Sequence, residues 1–374
     1  NGRQRTANGR QRTANGRQRT ANGRQRTANE QKATNSEQEA AMEFNVFFRS
    51  GCLLFAVCCL LFHKSARRKI SMPNHLKVTQ EARGRVSGDG IELAFGYWPG
   101  RGSPVVAIHG LTASFVSYAG VAERLNGRRP LFAPDLRGRG NSDKPEGPYG
   151  MAQHARDVAV AMRTLELGPS VIVGHSMGAF VATALADQNP ELVSGIIMID
   201  GGYVPDLPVG VDASQMLDAT LAMRIAQLTR TYDSRSAFLE FWRGQPNFPA
   251  DDWNSWTEAF LNYEVAGDTT VKPKASATGV RLDVAEAFKK DEIVARLKSL
   301  SVPVLLLRAE KGLEPGQPSI FPDSMMQSFR ECIPDMKDEV ISGTTHFTIT
   351  LGERGASRVA DLIVEFAETC EEQP

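Results

Sequence analysis

The 374-residue sequence is poor in cysteine and histidine, with five of one and six of the other. Cys52, Cys58 and Cys59 share one apolar run, and Cys332 and Cys370 lie far apart near the end. An odd count without regular spacing excludes a disulfide framework, and no CxxC pair points to zinc. Free thiols point to a reducing compartment, so a cytoplasmic location is expected. Neither a metal-ligand cluster nor a glycine-rich dinucleotide motif occurs, and no cofactor or metal is expected. Net charge is also lacking, with 43 basic and 43 acidic residues. Residues 1–28 hold eight arginines and no acid, which leaves the remainder with 35 basic against 43 acidic residues. A mildly acidic body argues against nucleic-acid binding.

Long apolar runs are scarce as well. Gly51 to Phe62 is an uninterrupted run of 12, and extending it back to Phe44 gives 19 residues but takes in Arg49. A spanning helix needs about 20 apolar residues. Residues 44–69, flanked by basic side chains, therefore read as an anchor, an uncleaved targeting segment, or a stretch upstream of a start at Met72. Membrane association through 44–62, and a membrane-anchored location, is the alternative expectation. Before it, NGRQRTA occurs four times from Asn1 to Ala28 without an apolar seam. Residues 1–43 read as a disordered, repeat-rich head.

What is present begins near Arg83. RGRVSGDGIELAFGYW reads as a hairpin turned at Gly88-Asp89-Gly90. VVAIHG, LFAPD, SVIVGH, GIIMID, VPVLLLRA and DEVIS read as strands. FVSYAGVAERL, MAQHARDVAVAMRTLEL, MGAFVATALADQ and RVADLIVEFAET read as helices. The alternation predicts an α/β fold with a mostly parallel sheet covered on both faces. Between GIIMID and VPVLLLRA lie about 100 residues of helical pattern without a strand signal. The expected organisation is a core of 76–202 and 301–374 with a helical cap, 203–300, over the site.

Gly174-His175-Ser176-Met177-Gly178 is G-x-S-x-G between a strand and a helix. In that setting the serine sits on a tight turn at the carboxyl edge of the sheet, with glycine two residues away on either side because side chains there would clash. The helix N-terminus favours negative charge nearby. A serine nucleophile also needs backbone donors for the developing oxyanion. The Met177 N–H follows the serine, and the Leu111 N–H follows the strand that ends at His109-Gly110. His109 is read as shaping its loop.

HGLTAS, PDLRGRGNSDKP (134–145), GHSMG and the late histidine of GTTHFT together resemble the α/β-hydrolase family, over nearly all of residues 83–370. The similarity is greatest to bacterial-type members with a helical cap. It implies an eight-stranded α/β-hydrolase sheet, a cap inserted after the sixth strand, and an acid and a histidine that follow the serine. His346 is then the base, and its place in a loop after the last strand agrees. Asp135 and Arg137 follow the family pattern and are read as structural.

The acid is less direct. In many family members it lies just past the penultimate strand, where this sequence reads Ala309-Glu310-Lys311-Gly312, with glycine at the expected position. Asp200, Glu310, Glu314 and Asp323 remain as candidates. Asp200 ends the strand after the nucleophile's helix and ranks first; Glu310 is the alternative acid. The expected activity is hydrolysis of a small to medium apolar ester or lactone through a Ser-His-Asp triad and an acyl-enzyme. A carbon–carbon bond hydrolase, a perhydrolase and a receptor-type member with slow or single turnover are the alternatives. Of the aromatic residues between Phe238 and Phe260, most are expected in the cap core and a few at an apolar pocket.

Overall fold

The computed structural model of the chain describes residues 81–204, 213–286 and 289–372. The repeat-rich head and the apolar segment 44–62 with its basic flank lie outside the described residues.

β1 (Ala82–Ser87) and β2 (Glu92–Trp98) pair antiparallel as the expected hairpin, closed by the Gly88 N–H donating to Ile91 O at 2.8 Å. β3 (Val105–Ile108), β4 (Leu131–Pro134), β5 (Ser170–His175) and β6 (Val193–Ile199) follow. A separate two-stranded pair, β7 (Val265–Ala266) with β8 (Lys272–Pro273), precedes the last sheet strands, β9 (Val304–Ala309) and β10 (Lys337–Ile341). The main sheet has the order β1-β2-β4-β3-β5-β6-β9-β10. β2 meets β4 antiparallel, and every pairing from β4 to β10 is parallel. β3, β4, β5 and β9 are buried at every residue, which is why they read as unbroken apolar runs.

Helices cover both faces. α1 (Ala119–Leu125) packs on one side with the terminal helix, while α2 (Met151–Thr164) packs against α3 (Met177–Gln188) on the other. In α2, Met151, Ala155, Val158, Ala159 and Met162 recur at helical spacing and are buried. That helix stops at Thr164, before the Leu167 at which the stretch read as helical ends, because Glu166 turns the chain with φ 54°.

The segment between β6 and β9 holds α4 (Ala213–Thr229), α5 (Arg235–Arg243), α6 (Ser255–Tyr263), α7 (Ala277–Glu286) and α8 (Lys290–Ser299). Ser234 caps α5 by accepting the Ala237 N–H, and Asn254 caps α6 by accepting those of Trp256 and Thr257. α6 is fastened to the core by three side chains. Trp256 Nε1 donates to Glu123 Oε2 at 2.9 Å, Tyr263 Oη to Asp135 Oδ2 at 2.7 Å, and Asn254 Nδ2 to Leu351 O at 2.8 Å. From α7, Asp283 accepts the Gly150 N–H at 2.7 Å and pairs with Arg139 at 2.5 Å and His154 at 3.0 Å.

Two features differ from the sequence reading. The β7–β8 pair breaks the strand-free stretch; strands of two residues leave no periodicity to detect. The expected cap span, 203–300, also takes in α8, which packs on α3 and buries Ile293 and Leu297 in the same apolar cluster as α3. Helical spacing reveals an apolar face but not its partner. The remaining helices are α9 (Asp323–Cys332), α10 (Thr348–Leu351) and α11 (Glu353–Glu371).

Arg137 and Asp157 form a buried, two-pronged ion pair at 2.5 and 2.7 Å, and Asp157 also accepts the Asp89 N–H at 2.9 Å. Removing one partner strands the other charge in the interior. Asp157→Ala should lower unfolding stability by about 3–5 kcal/mol, read from the urea midpoint.

Candidate active site

The turn from β5 into α3 holds Ser176 at φ 54°, ψ −117°, a backbone region that serine rarely adopts. The Ser176 N–H donates to Ile199 O at 2.9 Å, which ties the turn to β6. A Cβ at residue 178 would lie 2.0 Å from Ile108 O, and one at residue 174 would lie 2.3 Å from Gly178 O. Those approaches explain both glycines of the G-x-S-x-G stretch. Ser176 is left half-buried, and its hydroxyl makes no hydrogen bond to protein among the described residues.

Asp200 follows directly on β6 and takes φ 47°. Its N–H donates to Leu307 O at 2.8 Å, so the residue is clamped between β6 and β9. The carboxylate, 2% exposed, accepts the Ala309 N–H on Oδ1 at 3.1 Å and meets His346 Nδ1 with Oδ2 at 2.7 Å. A carboxylate against Nδ1 holds the proton there and leaves Nε2 as an acceptor. His346 is fixed on its backbone too: its N–H donates to Gly312 O at 3.0 Å, and its carbonyl contacts His175 Nε2 at 2.9 Å. Burial drives the His175 pKa well below its ordinary value, so this ring is neutral and Nε2–H is the donor.

The structure thus brings His346 and Asp200 together, and it takes the other acid candidates elsewhere. Glu310 is exposed and accepts the Gly343 N–H at 2.7 Å. Asp323 pairs with Arg308 at 2.8 Å while 92% exposed. Glu314 sits in a turn in which its carbonyl accepts the Gln317 N–H at 3.0 Å. At the position where an acid was sought, Gly312 supplies a carbonyl to the His346 backbone instead. Glu310→Gln should therefore keep kcat within about threefold of wild type on an activated ester, as surface changes generally do little.

His109 and Asp135 are bound into the frame. His109 is fully buried, contacts Gly110 O through Nδ1 at 2.8 Å and accepts the Leu136 N–H on Nε2 at 2.9 Å. Burial pushes its pKa down to about 3, which keeps the ring neutral. Asp135 accepts the N–H groups of Phe115 and Asn141 at 2.9 and 2.8 Å besides the Tyr263 hydroxyl.

A cavity of about 70 Å³ is lined by Gly110, Leu111, His175, Ser176, Arg224 and His346, among others. Neither the Leu111 nor the Met177 N–H is taken by a protein acceptor among the described residues. A second cavity of about 350 Å³ is lined by Phe238, Phe241, Trp242 and Phe248, and shares Thr112, Arg224, Phe260 and Phe347 with the first. Trp253 and Trp256 are committed elsewhere, the first to Glu258 and the second to Glu123.

A family model described as the alpha/beta hydrolase fold matches residues 103–352. The chain belongs to the α/β-hydrolase fold family. Relatives of this α/β hydrolase include named hydrolases. A 2-(acetamidomethylene)succinate hydrolase of Mesorhizobium japonicum is 28% identical over 249 residues, which cover 66% of this chain and 83% of the relative. The crystal structure of an E-2-(acetamidomethylene)succinate hydrolase superposes with a TM-score of 0.65 at 25% identity, covering 77% of this chain and all of that one. An N-formylmaleamate deformylase of Pseudomonas putida is 28% identical over 46% of this chain and 64% of its own length. Among the described residues of the α/β hydrolase, no helix is long and apolar enough to cross a membrane.

Two contributors to the site escaped the sequence reading of this α/β hydrolase. His175 is the variable residue of its motif, and only the fold shows its ring 4.7 Å from that of His346. Arg224 carried one faint signal: it is the only basic residue within ASQMLDATLAMRIAQLT.

Proposed function

We propose that this chain is a serine hydrolase in which Ser176, His346 and Asp200 form the triad and the Leu111 and Met177 amides form the oxyanion hole. The observation that carries the proposal is the Asp200–His346 Nδ1 contact beside a cavity that Ser176 and His346 both line. Ser176 Oγ attacks an acyl carbonyl while its proton passes to His346 Nε2. The two amides receive the oxyanion. The tetrahedral species collapses as the bond to the leaving group breaks, and the imidazolium returns its proton to that group. Water then attacks the acyl-enzyme, giving its proton to Nε2, and the acid is released as Ser176 recovers a proton. Asp200 stabilises the imidazolium and fixes its tautomer throughout.

The aromatic lining of the 350 Å³ cavity supports an ester or lactone of small to medium size with an apolar body. The names of two relatives, an acetamidomethylenesuccinate hydrolase and a formylmaleamate deformylase, favour a second reading, cleavage of an amide or carbon–carbon bond by the same serine. A fluorophosphonate probe and p-nitrophenyl esters of increasing chain length test the proposal. Labelling at Ser176 with steady multiple turnover supports it. A single burst followed by silence would assign the chain to ligand binding instead.

A further inference from the structure

Among the described residues, Arg224 is the only charged one that the two cavities share. It projects from α4, its Nη1 donates to Gln227 Oε1 at 3.2 Å, and its Nε is enclosed without a partner. Among the described residues it makes no ion pair. Arg224 is half-buried, and a cation that loses part of its hydration in this way favours an anionic partner. The described residues of the cavity walls do not supply a counter-charge. Among the described residues the one acid lining the larger cavity is Glu264, and burial pushes its pKa up to about 8, so it is mostly protonated at neutral pH. Arg230, in the same wall, is exposed, lies over the Phe241 ring at 4.1 Å and does not line the small cavity. Among the described residues, the small cavity that Arg224 and Ser176 both line has no acid in its lining.

We propose that Arg224 is a specificity-determining residue that binds a carboxylate on the substrate, so that the preferred substrates are acyl compounds with an apolar body and an anionic end. The guanidinium fork matches a carboxylate bidentately, and its position in both linings sets that end beside the reacting acyl group. The proposal rests on Ser176 being the nucleophile of this cavity and specifies what the cavity accepts.

The test pairs p-nitrophenyl butyrate with the p-nitrophenyl monoester of glutaric acid. Wild-type enzyme should favour the anionic ester in kcat/KM. In Arg224→Ala the anionic-to-neutral ratio of kcat/KM should fall about ten- to a hundredfold, the loss of a charge-assisted hydrogen-bonded pair, mostly through KM. Arg224→Lys should recover part of that ratio. A merely structural arginine would lower both rates together, and an unchanged ratio overturns the proposal. Should the variants fail to fold, wild-type protein decides. Glutarate should slow fluorophosphonate labelling of Ser176 at concentrations where glutaramide does not, and equal protection, or none by either, overturns the proposal. If Ser176 is not labelled at all, it is the serine-hydrolase reading that fails. If it is labelled and neutral esters turn over without charge discrimination, only the role of Arg224 fails.

Discussion

Ser176→Ala is expected to lower kcat on the best p-nitrophenyl ester by about 10⁶-fold, the scale at which a serine triad loses its nucleophile. Among the described residues lining the small cavity, the other hydroxyls are poorly placed to substitute: Ser117 donates to Ser114 O, Thr350 to Phe347 O, and neither they nor Thr112 has a histidine partner, while the His175 ring is neutral and engaged with the His346 carbonyl. The residual rate should still exceed that of water by about 10³–10⁴, because the Leu111 and Met177 amides survive the change. Stability should barely move. Among the described residues the Ser176 hydroxyl has no protein partner, and the bond that holds the turn, Ser176 N–H to Ile199 O, belongs to the backbone. A melting temperature within about 2 °C of wild type would show that the fold is intact. A folded variant working within tenfold of the wild-type rate would remove the acyl-enzyme from the mechanism, and loss of fluorophosphonate labelling checks the same point independently.

How much of this was legible in the sequence depends on the range over which each feature is encoded. The strands were legible because burial on both faces makes each of them an apolar run, as in VVAI and VLLLRA. The helix MGAFVATALADQ was read to the residue because the serine turn fixes its start and Pro190 its end. The serine turn is local, since its glycines are imposed by backbone approaches within one strand–turn–helix unit. The acid is not local. Asp200 and His346 are 146 residues apart, and their contact exists because β6, which Asp200 follows, and β10, which His346 follows, both flank β9 in the sheet. No spacing rule along the chain encodes that adjacency, which is why four carboxylates stayed open. The packing of α8 on α3 and the place of Arg224 between two cavities are of the same kind. An apolar stripe or a lone arginine is visible in sequence, whereas the surface it meets is set by tertiary structure.

Asp200→Asn should be the next most severe change, with kcat lower by about 10⁴-fold. The reason lies in how the two oxygens are used. Oδ1 accepts the Ala309 N–H and Oδ2 accepts from His346 Nδ1. An asparagine has a single oxygen for these two donors. If that oxygen stays with Ala309, the amide NH₂ faces Nδ1, the ring must accept there, and the proton moves to Nε2, where a base is needed. If the amide flips, two N–H donors confront each other at Ala309 in a buried site, at a cost of about 1–3 kcal/mol. The first arrangement costs less, and it holds the wrong tautomer. The variant should fold, label slowly with a fluorophosphonate and lose kcat far more than KM. Restoring a carboxylate at the position many relatives use should not rescue it: in Asp200→Asn/Gly312→Asp the new Cβ would lie 2.5 Å from Pro318 O, and the Gly312 carbonyl already holds the His346 N–H. Activity of the single variant within tenfold of wild type would mean that another group orients His346. Recovery in the double variant would mean that the loop after β9 has room for the acid after all.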